Sequence, residues 1–403
     1  MSLKEFAKSG HLPTLITSFL YFDVSFMVWM VNAAMAPFIS QALHLSPMQK
    51  GFMLSVPVFA GAFLRIPLGL VAEIIGRKSA ALLGMAITIM GMLYGFFFAD
   101  SFTSVLILGA LLGVAGASFS VALPLGSGWF PPKYQGLAMG IVGAGNSGTI
   151  LAGFFAPSLA NVYGWNHVYL FFAAPVLIVM ALILFLAKEP PNGSEHKTIF
   201  SPMKVLLEKD IWVFNLFYYI TFGGFIGFAS FVPTFIADQY GVDKVSAGEF
   251  MVLMGFAASI LRIFGGGIAD RIGGINVLTI IFSVLAFSSF AAGLMPSIKV
   301  MTILLFIMSA MMGSGNGSVF QLLPLRFPTT KSISTGVVGE FGALGGALIP
   351  MSMGYSLQTT GSYSFGFYFY GITVLIALLL LLFVRKKWTS SWVGKGGRAL
   401  PLP

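Results

Sequence analysis

The chain has 403 residues, of which 57% are hydrophobic and only 9% are charged. Soluble domains carry about 25% charged residues, so this composition excludes a soluble globular protein and indicates an integral membrane protein. The absence of cysteine excludes disulfides, thiolate catalysis and cysteine-ligated metals. The four histidines are scattered, and we expect neither a metal site nor a cofactor.

Apolar runs between polar breaks predict twelve membrane-spanning helices, because about 20 helical residues cross the hydrocarbon core of a bilayer. We expect no cleavable signal peptide, since the first run is too long for one. The predicted class is therefore an all-α protein embedded in the lipid bilayer. The runs cover residues 14–39, 48–72, 80–98, 103–127, 135–157, 166–187, 211–235, 246–269, 275–295, 299–324, 334–357 and 365–385.

A long polar connection between the sixth and seventh runs divides the chain into two halves. The predicted parts are an N-terminal six-helix half at 1–187, a cytoplasmic linker at 188–210, a C-terminal six-helix half at 211–387 and a cytoplasmic tail at 388–403.

The two halves are related in sequence. Residues 64–77 align with 261–274 at seven identical positions of 14, and the fourth span aligns with the tenth at an offset of 200. Transporters built from such repeats bind their substrate near the bilayer midplane, between the repeats.

Basic residues set the orientation. With the N-terminus inside, 17 of the 22 Lys and Arg residues fall on the inner side, which predicts that both termini are cytoplasmic. The net charge of +9 is explained by this topology, so we expect no nucleic-acid partner.

Two stretches resemble the cytoplasmic loop motif of the major facilitator superfamily, namely "GLVAEIIGRK" (69–78) and "GGIADRIGG" (266–274). The resemblance implies that the motif latches the halves in one state. The first copy departs from the pattern, because Glu73 replaces the usual Asp and Ile74 replaces a basic residue. We expect Arg77 to pair with Glu73, which the helix dipole disfavours at a helix C-terminus. The gating residues implied are Gly69, Glu73, Arg77, Gly266, Asp270 and Arg271.

A narrower resemblance, to the nitrate/nitrite porter family, spans nearly the whole chain. It is carried by "FPPKYQGLAMGIVGAGNSGT" (130–149), "YYITFGGFIGFASFVP" (218–233), "GSGNGSVFQLLPLRFP" (313–328) and "GEFGALGGALIP" (339–350), of which the last lacks the family's Asn. The resemblance implies a twelve-helix major facilitator fold and transport of nitrate and/or nitrite by alternating access.

Two arginines interrupt otherwise apolar spans. Arg65 and Arg262 each lie eight residues before a motif acid, about 12 Å deeper along the helix. An arginine at mid-span costs about 2.5–3.5 kcal/mol on insertion scales, so a compensating function is expected. We interpret the pair as a doubly cationic site for an anion; the alternative is a structural pairing with buried acids.

Those acids are Asp23 and Glu340, which we place within spans. Intramembrane acids often couple transport to protons. The alternative is that both balance nearby cations. The motifs do not decide whether the protein exchanges one anion for another or carries the anion together with a proton.

The family resemblance implies further substrate contacts. Asn146 would donate its amide to the anion, or alternatively bind helices together. Aromatic rings would sandwich a planar anion, and in the first span Phe22 and Phe26 are both candidates, of which we select Phe26. The remaining implied contacts are Gly145, Tyr218, Phe222, Phe119 and Phe320.

These observations predict a monomeric transporter of nitrate and/or nitrite in a bacterial-type inner membrane. We expect no enzyme, since the sequence shows no nucleophile–base set, phosphate loop or metal cluster. One alternative is a porter for another small anion, such as oxalate, formate or a phosphate ester. Another is a membrane-bound anion sensor, which would need a signalling domain larger than the 188–210 linker.

The predicted orientation can be tested with single cysteines, because the chain has none of its own. In intact cells an impermeant thiol reagent is expected to label Thr360→Cys, on the outside, and to leave Ser194→Cys, in the linker, unlabelled. Labelling of Ser194→Cys alone would mean that the orientation is reversed.

Overall fold

The computed structural model describes residues 3–191, 201–328 and 330–399, and in these ranges all regular secondary structure is helical. Within these described ranges, twelve helices are long and apolar enough to cross a membrane, which confirms the predicted all-α architecture of twelve spans. Numbered α1 to α12 in chain order, they are Leu12–Trp29, Pro47–Ile75, Arg77–Phe98, Phe102–Ser127, Leu137–Tyr163, Trp165–Leu186, Lys209–Tyr240, Lys244–Ile272, Gly274–Gly293, Ile298–Arg326, Ile333–Thr360 and Ser364–Thr389.

Three of these helices change their winding at predicted site residues. The regular winding of α4 is interrupted at Ser118, directly before Phe119. In α5 a 3₁₀ turn covers Ala144–Ser147 and so includes Asn146. In α7 a π-helical turn covers Tyr219–Gly223. Such irregular turns occur frequently at functional sites, because they redirect side chains from the regular helical period.

The chain forms two compact units. One contains Met1–Leu45, Val56–Lys197 and Asp243–Val252, and the other contains Ser46–Ser55, Thr198–Val242 and Leu253–Pro403. The beginnings of α2 and α8 are therefore exchanged between the units. The predicted halves do not contain this exchange, because it depends on which helix a segment packs against and not on the sequence repeat.

Contacts within the second unit explain why the start of α2 belongs there. A Cβ on Gly51 would lie 2.6 Å from the carbonyl oxygen of Pro350, so the two backbones are in close contact. Nearby, the Ser55 hydroxyl donates to the carbonyl oxygen of Ala347 at 2.6 Å. Small residues thus allow the α2 segment to pack directly on the backbone of α11.

The predicted linker is partly helical. A short helix covers Ser201–Leu206, and α7 begins at Lys209, so that the last two linker residues belong to α7. Positions 192–200 lie outside the described residues. At its start the linker contacts α3, because the Glu189 carboxylate accepts hydrogen bonds from the backbone N–H groups of Arg77 and Lys78 at 2.7 and 2.9 Å.

The tail predicted from residue 388 begins inside α12. Trp388 is fully buried, and its indole Nε1 donates to Asp210 at 3.1 Å. Beyond the helix a turn at Lys395–Gly397 packs on Gly273, which has a φ of +94° and no room for a side chain against Gly396. Positions 400–403 of the predicted tail lie outside the described residues.

The predicted intramembrane acids are buried in helices, with exposed fractions of 8% for Asp23 and 7% for Glu340. Glu249 also lies within α8, on an exposed side chain close to the start of the helix. The assignment of span acids from the sequence was therefore incomplete.

The glycines of α5 differ in what they contact. A Cβ on Gly145 would lie 2.8 Å from the backbone nitrogen of Asp23, and one on Gly148 would overlap the Asp23 carbonyl oxygen. A Cβ on Gly140 or Gly143 would meet no heavy atom within 4 Å. At Gly145 and Gly148, α5 therefore packs closely on the backbone of α1.

This difference predicts opposite results for two identical substitutions. Gly148→Ala is expected to destabilise the protein by about 1–3 kcal/mol, because the added methyl overlaps backbone that cannot rotate away. Gly140→Ala is the matched control and should leave stability unchanged or slightly raised, since alanine favours the helix. Thermal unfolding in detergent measures both, and equal melting temperatures would contradict the close packing.

Candidate functional site

Arg65 is buried in the middle of α2, with 5% of its surface exposed. It lies ten residues before the end of the helix, about 15 Å along the axis. Its Nε donates to the carbonyl oxygen of Gly116 at 3.3 Å. Its Cζ lies 5.4 Å from the ring centre of Phe119 and 5.8 Å from that of Trp29. Two aromatic faces and a carbonyl therefore stabilise the guanidinium in an apolar region.

Trp29 was missed by the sequence analysis. It is 2% exposed, and its indole Nε1 donates to the carbonyl oxygen of Pro57 at 2.8 Å. A Cβ on Gly61 would lie 2.8 Å from the Trp29 ring, and one on Gly116 would overlap it. The indole is thus fixed in a slot made by two glycines. The sequence does contain a hint of this role. Trp is enriched at the membrane–water interface, whereas Trp29 lies inside an apolar run.

Both aromatic candidates in α1 reach the surroundings of Arg65. The Phe22 ring lies 5.3 Å from the Phe119 ring. The Phe26 ring lies 5.6 Å from Phe22 and 5.2 Å from Trp29. Phe26 therefore belongs to the cluster as predicted, and Phe22 belongs to it equally. We call these five residues (Arg65, Trp29, Phe119, Phe22 and Phe26) the Arg65 cluster.

Asn146 is 1% exposed. Its amide, oriented from its surroundings, places Nδ2 3.2 Å from the carbonyl oxygens of both Gly143 and Ala144. These contacts lie within the irregular turn of α5 itself. They allow the amide to stabilise that turn, and a contact with substrate stays a prediction.

The acid of α1 lies next to this turn. The Ser147 hydroxyl donates to the Asp23 carboxylate at 2.5 Å. The backbone N–H of Gly148 is a second partner of this carboxylate, so both described partners are neutral groups that hold Asp23 in place without neutralising it.

The second unit has its own arginine cluster. The Cζ of Arg262 lies 6.0 Å from the ring centre of Phe320. The Tyr218 ring lies 4.9 Å from Phe320 and is stacked on Phe222, with 5.0 Å between the ring centres. Four residues selected in the sequence from three different helices are thus brought together. We call Arg262, Phe320, Tyr218 and Phe222 the Arg262 cluster.

The gating motifs lie at helix ends away from both clusters. The Arg77 guanidinium donates to the carbonyl oxygen of Pro124 at 3.4 Å, and its pairing with Glu73 stays a prediction. In the second copy, Asp270 and Arg271 are exposed at the end of α8. A Cβ on Gly69 or Gly266 would meet its nearest neighbours only at ordinary van der Waals distances, 3.7 and 3.8 Å.

Comparisons with known proteins support the twelve-helix fold described above. The family model of the Major Facilitator Superfamily matches residues 17–350. A crystal structure of the human organic anion transporter MFSD10 (TETRAN) has a TM-score of 0.69 at 15% sequence identity, over 92% of this chain and 99% of that one, which supports the fold alone.

Two bacterial proteins are more similar to this chain in sequence than the human transporter is. A protein of Staphylococcus epidermidis named "Probable nitrate transporter NarT" is 32% identical over 90% of this chain and 93% of its own length. The "Nitrite extrusion protein" of Bacillus subtilis is 30% identical over 89% of this chain and 91% of its own length. The chain therefore has the twelve-helix major facilitator fold and belongs to the nitrate/nitrite porter family of that superfamily.

Proposed function

We propose that this protein is a monomeric transporter that carries nitrate, nitrite or both across the inner membrane by alternating access, with both termini cytoplasmic. The names of its relatives support the substrate class. The observation that carries the proposal is the buried guanidinium of Arg65, which is flanked by two aromatic rings about 15 Å from the helix end. A fixed cation at that depth attracts an anion strongly, because the surrounding dielectric is low.

Arginine suits a planar oxyanion better than lysine does. Its guanidinium presents a rigid fork of N–H donors that matches two oxygens of nitrate or nitrite, and it is less strongly hydrated than an ammonium. We propose that Arg65 and Arg262 both bind the transported anion, as equivalent positions of the sequence repeat.

The aromatic residues of the two clusters supply selectivity. Flat rings can cover the faces of a small planar anion while leaving its edges to hydrogen-bond donors. The phenylalanine rings among them offer no donor for the extra oxygens of a phosphate ester. The Phe119 and Phe320 rings, each next to one arginine, are therefore proposed to limit the size of the anion.

Replacing the arginines by lysine tests the fork geometry. Arg65→Lys and Arg262→Lys keep the charge, but each is expected to reduce nitrate binding and nitrite uptake at least about tenfold, because hydrogen bonds to charged groups are worth about 1.5–3 kcal/mol. The measurement is binding and proteoliposome uptake at matched protein amounts.

The matched control is Arg385→Lys, since Arg385 is exposed at the end of α12. It should bind and transport like the wild type. Wild-type activity in both Arg65→Lys and Arg262→Lys would instead make the arginines structural counter-charges.

We further propose that exchange of nitrate for nitrite is one mode of transport. A site with fixed positive charges is costly when empty and dehydrated, so the reorienting step is favoured with an anion bound. Asp23 and Glu340, buried in α1 and α11, are the candidates for proton coupling if a symport mode exists.

Uptake into proteoliposomes distinguishes nitrate/nitrite exchange from proton symport. Nitrate uptake is expected to require nitrite or nitrate trapped inside, and to be nearly absent from liposomes that contain neither. Uptake into such empty liposomes, driven by an inward proton gradient and abolished by Asp23→Asn or Glu340→Gln, would show that exchange is not the only mode.

A further inference from the structure

A buried amide that the sequence analysis did not select lies on α10. Asn316 is 1% exposed, and in the part of the chain that the structure describes neither its Oδ1 nor its Nδ2 has a hydrogen-bond partner. A buried amide without partners loses its hydration and gains nothing in exchange, which is rare in folded proteins. The amide of Asn316 is therefore available to a partner from outside the chain.

The depth of Asn316 matches that of Arg262. Each residue lies ten positions before the last residue of its helix, about 15 Å along the axis. The two helices are in contact at this level, because a Cβ on Gly317 would overlap the carbonyl oxygen of Arg262. Asn316 thus lies beside Arg262 and not merely at an equivalent height.

The direction of the Asn316 side chain follows from its neighbours. On one side, Gly315 packs on Thr221 of α7, and on the other, Gly317 packs on α8. Successive helical residues are turned by about 100°, so Asn316 points between α7 and α8. Phe320 is one turn away on the same face, and its ring contacts both Tyr218 and the Arg262 guanidinium.

The sequence repeat gives an independent argument. The fourth span aligns with the tenth at an offset of 200, which places Asn316 at the position of Gly116. The carbonyl oxygen of Gly116 accepts the hydrogen bond from Nε of Arg65. The equivalent position in the first unit therefore touches the arginine directly, and in the second unit it carries an amide.

We propose that Asn316 is a further anion-binding residue, whose Nδ2 donates to an oxygen of the anion bound by Arg262. The inference rests on the proposed function, because it takes that anion to be nitrate or nitrite. An amide can donate to one oxygen while the guanidinium fork holds two others, which suits the trigonal geometry of nitrate.

The test compares nitrate binding by calorimetry and thermal unfolding for purified wild type, Asn316→Ala, Asn316→Ser and Asn316→Asp. The alanine variant should bind nitrate about tenfold more weakly, with a melting temperature unchanged or raised because an unpartnered amide is removed. The serine variant keeps a hydrogen-bond donor, so its affinity for nitrate should lie between those of the wild type and the alanine variant. The aspartate variant should show no measurable nitrate binding, since its carboxylate occupies the anion's place beside Arg262.

The matched control is Asn32→Ala, the same truncation at a buried asparagine in α1's extension Val31–Ala34. Its oxygen, unlike that of Asn316, accepts a hydrogen bond, from the Tyr169 hydroxyl at 2.8 Å, and its Nδ2 has no described partner. Asn32 and the Arg262 cluster belong to different compact units. This variant should melt at a lower temperature and keep the wild-type dissociation constant for nitrate.

Two outcomes would overturn the inference while leaving the proposed function intact. One is an unchanged dissociation constant for nitrate in Asn316→Ala. The other is failure of all three Asn316 variants to fold, since an amide that serves a ligand is not needed for folding.

A wild type that binds neither nitrate nor nitrite would instead refute the proposed function. The same variants would then be compared with formate and inorganic phosphate. Weaker binding of such an anion by Asn316→Ala would keep Asn316 as an anion-binding residue. Equal affinity of the wild type and Asn316→Ala for these anions would refute the anion-binding role of Asn316 as well. So would a wild type that binds neither formate nor phosphate.

Discussion

The cost of holding a guanidinium in an apolar region constrains this protein more than any other interaction. Arg65 is buried about 15 Å from the end of α2, within an otherwise apolar part of the helix. Its described contacts include one carbonyl oxygen and the faces of Trp29 and Phe119. An anion that reaches this guanidinium is attracted strongly, because the surrounding dielectric is low.

Small residues make this arrangement possible. Gly116 both offers its carbonyl to Arg65 and leaves the space that the Trp29 indole fills. Gly317 in the same way lets α10 pack on the backbone of Arg262. A side chain at either position would separate the helices and move the aromatic rings away from the cations. These glycines therefore hold the aromatic rings next to the arginines as well as allowing the helices to pack closely.

The two clusters are related by the repeat but are not identical. The Arg65 cluster contains a tryptophan and two rings from α1, whereas the Arg262 cluster contains a stacked Tyr–Phe pair next to a π-helical turn. The first has a glycine where the second has Asn316. The repeat therefore conserves an arginine next to aromatic rings in each unit, but not the identity or the arrangement of those rings.

The sequence by itself determined the class, the twelve spans, the family and most of the arginine and aromatic residues, because hydropathy, charge bias and repeated motifs are local properties of the chain. It did not select Trp29 or Asn316 and could not separate Phe22 from Phe26, since residue type alone does not show which side chains face an arginine of another helix. Nor did it show that the starts of α2 and α8 are exchanged between the compact units. Those features depend on which helices lie side by side, and packing between residues distant in sequence is decided only when the tertiary structure forms.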